Sequence, residues 1–425
     1  MQRYFVVGGG LAGLTAANAL AGEGRKVVVL EQSDRVGGRA LTQEERGYRL
    51  NLGPHALHQC GIAAQTLRRW GVPVLGNPPD TSCDSFLVRD GRMYPLIYTV
   101  RGLLTTRLFH AGEKLQAARV LQQMASGGAN EGESAQEWIE RRARSLSVRQ
   151  LAGMLIRTAT FTADLSSLSA RAALGHFRRA TRPSVLYLHG GWQTLIDGLE
   201  QRARRLGVEI RPGEPVERLS ALQGDGVILA VPPTAVERIT GRRLPPMKPV
   251  RIACLDLGLR TLPRGAARVA LGLDRPLYLS VHSAVARLAP AGSALAHLCK
   301  YLKGASDAAT DRRELEEFAD LTIPGWRDEV EIVRFLPRMT VTAATFSPQG
   351  RPAVDELGIP GVALAGDWVG DEAMLADAAV ASALRAARMV EEPACAGWAK
   401  SRSSFAGIPL GDSRPTPHAG AVLSK

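Results

Sequence analysis

The chain opens on the apolar run Tyr4 to Val7, breaks at a cluster of glycines, and becomes apolar again from Val27 to Leu30. Between the two runs, Leu14 to Ala21 is apolar without alternation and ends at the breakers Gly22 and Gly24. Strand, glycine turn, helix and strand together predict one βαβ unit. Beyond Ala56 the pattern changes: residues 76 to 184 carry helical stretches such as Glu113 to Met124 and Ala135 to Arg144, joined by the polar Ser126 to Glu133, and read as an insertion. A second α/β passage begins at Gly190. Trp192 to Leu206 sets Leu195, Ile196, Leu199, Ala203 and Leu206 on one side of a helix, and the strand candidates Val208 to Arg211 and Val227 to Val231 follow, with the short stretch Pro215 to Leu219 between them. The pattern then turns β-rich over 248 to 345, with Val250 to Leu259, Arg268 to Leu273, Leu277 to His282 and Ala294 to Leu302 as strands and Asp311 to Leu321 as a helix. Val362 to Ala365 predicts a last strand and Met374 to Val390 a last helix, while 393 to 425 shows no periodicity and is expected to be disordered.

These elements predict an α/β fold with a three-layer, Rossmann-like nucleotide-binding domain and an interleaved α+β substrate domain. The first is assigned to 1–75, 185–247 and 346–392, the second to 76–184 and 248–345. At 425 residues the chain exceeds the size of a single hydrophobic core, which agrees with two domains.

Composition narrows the function classes. With 45% apolar and 22% charged residues the chain is an ordinary globular protein, and no apolar stretch reaches the roughly 18 residues of a membrane-spanning helix. The net charge of +12 is carried mostly by scattered arginines. A nucleic-acid-binding module is absent, so no nucleic-acid partner is expected. Five cysteines, at 60, 83, 254, 299 and 395, form no CxxC pair and no metal spacing, so no metal site is expected. Free thiols, and an N-terminus that runs straight into the first strand, point to the cytoplasm, with its membrane face as one location.

The chemistry is concentrated at the first turn. Gly8, Gly10 and Gly13 form a GxGxxG motif after a strand and before a helix, and the next strand ends on the acid Glu31, 18 residues after Gly13. Gly8 permits the tight turn, Gly10 lets backbone approach a pyrophosphate, and Gly13 lets the helix pack closely on the sheet. The helix start, with Leu11 and Ala12, presents free amides and a positive dipole end to phosphates. Glu31 suits ribose hydroxyls and disfavours a 2'-phosphate.

Shortly after Glu31 stands Arg35-Val36-Gly37-Gly38-Arg39, and here the chain resembles the flavin-containing amine oxidase and phytoene desaturase superfamily, whose members carry RxGGR after the ribose-binding acid. The resemblance implies FAD, with Gly37, Gly38 and Arg39 lining its diphosphate and flavin, and the absence of a Cys between Gly366 and Leu375 makes noncovalent attachment the expectation. Asn51-Leu52-Gly53-Pro54-His55 is similar to the segment that passes beside the isoalloxazine, although Asn51 replaces the usual Asp. Gly190 to Leu195 is similar to the family's GGxxxL stretch, and Val216 matches the position whose backbone contacts adenine. Ala365-Gly366-Asp367-Trp368 resembles the AGD element, and the resemblance puts the helix of Leu375, Ala376 and Ala379 at the flavin's pyrimidine end. Together the matches span residues 4 to 390.

Two departures bear on the branch. No Cys lies between Gly366 and Leu375, where amine oxidases often attach the flavin, and no Lys lies in Val250 to Cys254. Leu375 also stands where one substrate-flanking aromatic is usual. Pro276 to Ser283 followed by Leu288-Ala289-Pro290 looks instead like bacterial phytoene-desaturase-like oxidoreductases, so the expected activity is an FAD-dependent desaturase or dehydrogenase. It would pass hydride to flavin N5 from a lipophilic, isoprenoid- or carotenoid-like small molecule. An external acceptor, oxygen, a quinone or another, would reoxidise the flavin, since only one complete GxGxxG-type site occurs. The alternatives are an amine oxidase or protoporphyrinogen-oxidase-type enzyme, and a nonenzymatic prenyl or lipid carrier on the same fold. His55 and His282 are the candidate catalytic side chains, each with a structural role as the alternative. Residues 95 to 121 mix apolar positions with Arg101, Arg107 and Lys114, and read either as a peripheral membrane contact or as a core-facing helix.

Overall fold

Four of the apolar runs, with one edge strand beside them, build the sheet on which the glycine loop rests. In the computed structural model, which describes residues 2–80, 84–97, 99–181 and 185–391, strands Glu209–Pro212, Lys26–Glu31, Arg3–Val7, Gly226–Leu229 and Val362–Leu364 pair in that order, all parallel. Their central residues are buried, as a parallel sheet requires of strands that read as continuous hydrophobic runs. Helix Leu11–Gly22 packs against both Gln193–Arg205 and Leu375–Glu391, and all three join the sheet in one hydrophobic core.

The first helix begins at Leu11, three residues before the expected Leu14. Residues 11 to 13 belong to it because Gly10 is its N-cap, so the glycines are the start of the helix as well as the turn.

The second sheet has seven strands, in the order Val330–Thr342, Val250–Leu259, Ala294–Leu302, Leu277–Val281, Val269–Gly272, Ser85–Arg89 and Arg92–Pro95. Neighbours are antiparallel except Val269–Gly272 with Ser85–Arg89. The chain is therefore interleaved, since strands from either side of the second α/β passage complete one sheet. One face of it carries Ile252, Cys254, Cys299 and Tyr301 against the inserted helices, among them Ala111–Ser126 and Leu146–Thr160. The other carries Ala253, Leu255 and Leu257 against helix Ala308–Thr322. Among the described residues no helix is long and apolar enough to cross a membrane. The segment 393–425, expected to be disordered, lies outside the described residues, as do Cys83 and Cys395.

Candidate functional site

The order of the parallel sheet reverses at Arg3–Val7, whose neighbours on its two sides are reached by connections running in opposite directions. Open α/β sheets bind ligands at such a switch, beyond the carboxyl ends of the strands. Gly8 leaves that strand end at φ 102°, a conformation that favours glycine, and its amide donates to Leu30 O at 2.8 Å. A side chain there would meet Ala230 O at 2.5 Å, and one on Gly13 would meet Gly8 O at 1.8 Å. Gly10 is different: the nearest atom to a Cβ at that position is 4.0 Å away, so its side faces open space. The amides of the first turn have no intrahelical acceptor and crown that space.

The space is a cavity of about 460 Å³ that runs from the end of Lys26–Glu31 to the start of the last helix. Its wall contains Gly8, Gly10, Leu11, Ala12, Glu31, Gly37, Gly38, Arg39, Pro54, His55, Val216, Gly366, Asp367, Leu375, Ala376 and Ala379. Of the expected cofactor residues only Gly13 and Gly53 are not in the wall. Gly13 acts through helix packing, as its contact with Gly8 shows. The carbonyl of Gly53 lies 3.0 Å from His55 Nδ1, so its contribution is to hold that ring.

Polar groups along the wall are fixed by one another. Glu31 accepts the amides of Gly9 at 2.6 Å and Ser33 at 2.9 Å, which ties the glycine loop to the acidic strand end. The Arg39 guanidinium donates to both oxygens of Asp367, at 2.7 and 2.8 Å, a bidentate pair that joins the RxGGR turn to the AGD element 328 residues away. Asn51 Oδ1 accepts from Thr42 Oγ1 at 2.8 Å and from the Trp192 amide at 3.0 Å, so the substituted Asn still supplies the acceptor oxygen that links Asn51 to the Gly190–Gly191 turn. Trp368 is buried, with its indole N–H donating to Val231 O at 3.3 Å.

His55 stands edge-on to Trp192, ring centroids 4.9 Å apart, and burial pushes its pKa down to about 4, so the ring is neutral near pH 7. His282 is not in the cavity wall. It is buried in the second sheet, stacked on Tyr187 at 3.7 Å, with neither ring nitrogen hydrogen-bonded and its pKa lowered by burial. That is the surrounding of a packed ring. Beside it, Asp256 accepts from His297 Nδ1 at 2.6 Å and from Arg334 Nε at 2.8 Å, and Arg334 also donates to Asn51 O, which couples the second sheet to the cavity segment.

Leu52, within the segment expected beside the isoalloxazine, is in the wall, and several wall residues were not foreseen: Phe161, Trp192, Arg238, Met339 and Val341. Two large apolar wall residues, Phe161 and Leu375, adopt φ of 59° and 55°, a left-handed backbone that bulky side chains rarely take. Phe161 ends helix Leu146–Thr160 and Leu375 begins the last helix. Both are turned so that the backbone strain coincides with the cavity.

The residues fit an FAD. The open face at Gly10, the amide crown, the acid at the neighbouring strand end and a cavity within the usual range for small-molecule sites all occur on one continuous wall.

Comparison with known proteins agrees. The sequence profile of flavin containing amine oxidoreductases matches residues 11–243. The L-amino-acid oxidase of Naja atra is 46% identical over 74 residues, 17% of this chain and 15% of that protein. The chain thus matches only a small part of the length of such relatives. Among solved structures, an oxidoreductase from Methanosarcina mazei superposes with a TM-score of 0.72 at 17% identity, covering 90% of this chain and 99% of that one. Cyclohexylamine oxidase from Brevibacterium oxydans superposes with 0.65 at 15% identity, covering 92% and 98%. At these identities the likeness is one of fold.

Proposed function

The chain belongs to the flavin-containing amine oxidoreductase family, and on that premise we propose that it dehydrogenates an apolar, isoprenoid- or carotenoid-like substrate. It is an FAD-dependent oxidoreductase, so the carrier alternative is set aside. In our reading the FAD-binding part comprises 1–75, 185–247 and 346–392, and the substrate part 76–184 and 248–345.

Bound FAD supplies a two-electron acceptor that takes hydride at N5. The chain's own residues bind, orient and exclude water. Gly8, Gly10, Leu11, Ala12, Gly37 and Gly38 would hold the diphosphate. Glu31 and Val216 would hold the adenosine end. Arg39, Asp367, Gly366 and the start of the last helix would hold the flavin end, and the positive end of that helix would favour a reduced, anionic ring. His55 is neutral and held by the Gly53 carbonyl, so it orients the segment beside the ring and offers no charge there.

The observation that carries the substrate reading is the wall of Leu52, Pro54, Phe161, Met339, Val341 and Leu375. Every carboxylate in the described wall is engaged: Glu31 by two amides, Asp367 by Arg39, and Glu214 by Arg211 at 3.6 Å. A cationic amine would have to compete with these partners for a counterion. Anaerobic bleaching of the flavin by a panel of isoprenoids, lipids and amines tests this. Isoprenoids should bleach it; bleaching by amines alone would favour the second reading, amine oxidation, which the fold shared with cyclohexylamine oxidase supports. Oxygen, a quinone or another diffusible acceptor would complete turnover.

A peripheral membrane contact suits such a substrate. In segment 95–121, Leu103, Leu108 and Phe109 are buried, whereas Val100, Leu104 and Leu115 are 76%, 63% and 56% exposed, with Arg101 and Arg107 exposed beside them. Exposed aliphatic side chains with exposed arginines near them in sequence match an anionic bilayer. Replacing all three with Ser should reduce co-sedimentation with anionic liposomes; equal pelleting of variant and parent would end the idea.

A further inference from the structure

One wall residue holds its place at a backbone cost that glycine would avoid. Phe161 ends helix Leu146–Thr160 in the left-handed region, at φ 59°, with its amide donating to Arg157 O at 2.7 Å. Helix Pro233–Thr240 ends on the same kind of turn, but there Gly241 takes it, at φ 67°. Glycine meets no steric penalty in that conformation, whereas a bulky side chain does. The turn is pinned on both sides of Phe161, because Thr160 and Thr162 are buried and hydrogen-bonded. Thr160 Oγ1 donates to Ile156 O at 2.8 Å and accepts from the Thr162 amide at 3.3 Å.

This strained backbone carries an aromatic ring to the cavity. Phe161, Met339 and Leu375 all line it, and all three pack against the hydrophobic core of the inserted helices and second sheet, not the core beneath the glycine loop. Tyr301, which is not a wall residue and is 3% exposed, meets the Phe161 ring edge-on with centroids 5.9 Å apart, so the ring is backed by a buried one. We propose that Phe161 is the specificity-determining residue of the chamber, its ring acting as a stop that sets the longest apolar chain the site accepts. The pinned turn and the backed ring fix where that stop stands. The inference rests on the apolar-substrate reading above and adds to it a limit on length.

Calorimetric titration of the FAD-loaded protein with straight-chain primary alcohols, from hexan-1-ol to dodecan-1-ol, tests it. Each methylene buried in the chamber should tighten binding about fourfold, and in the parent the gain should stop at a definite length. Phe161→Ala should carry the gain on to longer alcohols, and Phe161→Trp should end it at a shorter one. Phe161→Gly should share the length limit of the Ala variant and unfold no earlier than it, because only glycine sheds the left-handed strain. A gain that stops at the same length in the parent and every variant, or that never stops in the parent, would overturn the stop while leaving the apolar chamber standing. Binding that gains nothing with length, or no binding of any alcohol, would overturn the chamber and the stop with it. The flavin spectrum and unfolding midpoint of each variant report its folding, and Phe161→Leu, also shorter than the ring, serves where the Ala variant does not fold.

Discussion

At Gly13 one methyl group decides whether the phosphate loop can close. The atom it would strike, 1.8 Å away, is the backbone oxygen of Gly8, which has no rotamer to escape into. Gly13→Ala should therefore destabilise the protein by about 1–3 kcal/mol, as overpacking does, and lower its flavin content, both readable by thermal unfolding and absorbance. Gly10→Ala, with no atom nearer than 4.0 Å, should leave the unfolding midpoint close to the parent's. His55 offers a residue-scale test with a sign. Its pKa in the folded protein, about 4, lies below the value near 6.5 that it regains on unfolding. As the pH falls, the unfolded chain takes up the proton first, so the stability that His55 contributes is present above about pH 6.5 and is lost toward pH 4. Unfolding free energies of the parent and His55→Gln should draw together over that window, whereas a constant gap would show that the ring is not held neutral.

At the scale of elements, the glycine loop and the strands around it were legible because local signals suffice there. Val250 to Leu259 and Ala294 to Leu302 appear with the same bounds in sequence and structure. Met339 was not legible as a wall residue. The pairing of its strand with Val250–Leu259 is interrupted by register shifts between Val250 and Arg251 and between Ile252 and Cys254, and a one-residue shift changes the face to which a side chain points. Phe161 was missed for another reason: its place in the wall depends on a left-handed turn at a helix end, and nothing in Thr160-Phe161-Thr162 announces one. His282 carried a chemical signal, its residue type, that burial against Tyr187 renders structural. The pairing of Arg39 with Asp367 joins two elements that were each recognised alone. Asp367→Asn should weaken that bidentate contact, lower stability by about 1–3 kcal/mol and reduce FAD retention on desalting. Unchanged stability and retention would mean that the two elements are held by other contacts.

The whole molecule sets a parallel sheet that carries a nucleotide loop beside a largely antiparallel sheet whose face closes an apolar chamber. Arg334 fastens the antiparallel sheet, through Asp256, to the Asn51 carbonyl at the start of the segment that runs along the cavity. The interleaved chain makes this arrangement possible, because segments far apart in sequence meet in one sheet and along one cavity wall. Noncovalent retention of one FAD by this wall is the property on which the rest depends. It is tested most directly by denaturing the purified protein and measuring the flavin in the supernatant, for the parent and for Gly10→Val, whose side chain would fill the open face of the loop. About one FAD should be released per parent chain, and the Gly10→Val protein should be folded and colourless. A colourless parent that takes up no added FAD, or a yellow Gly10→Val protein with its full complement of flavin, would contradict it.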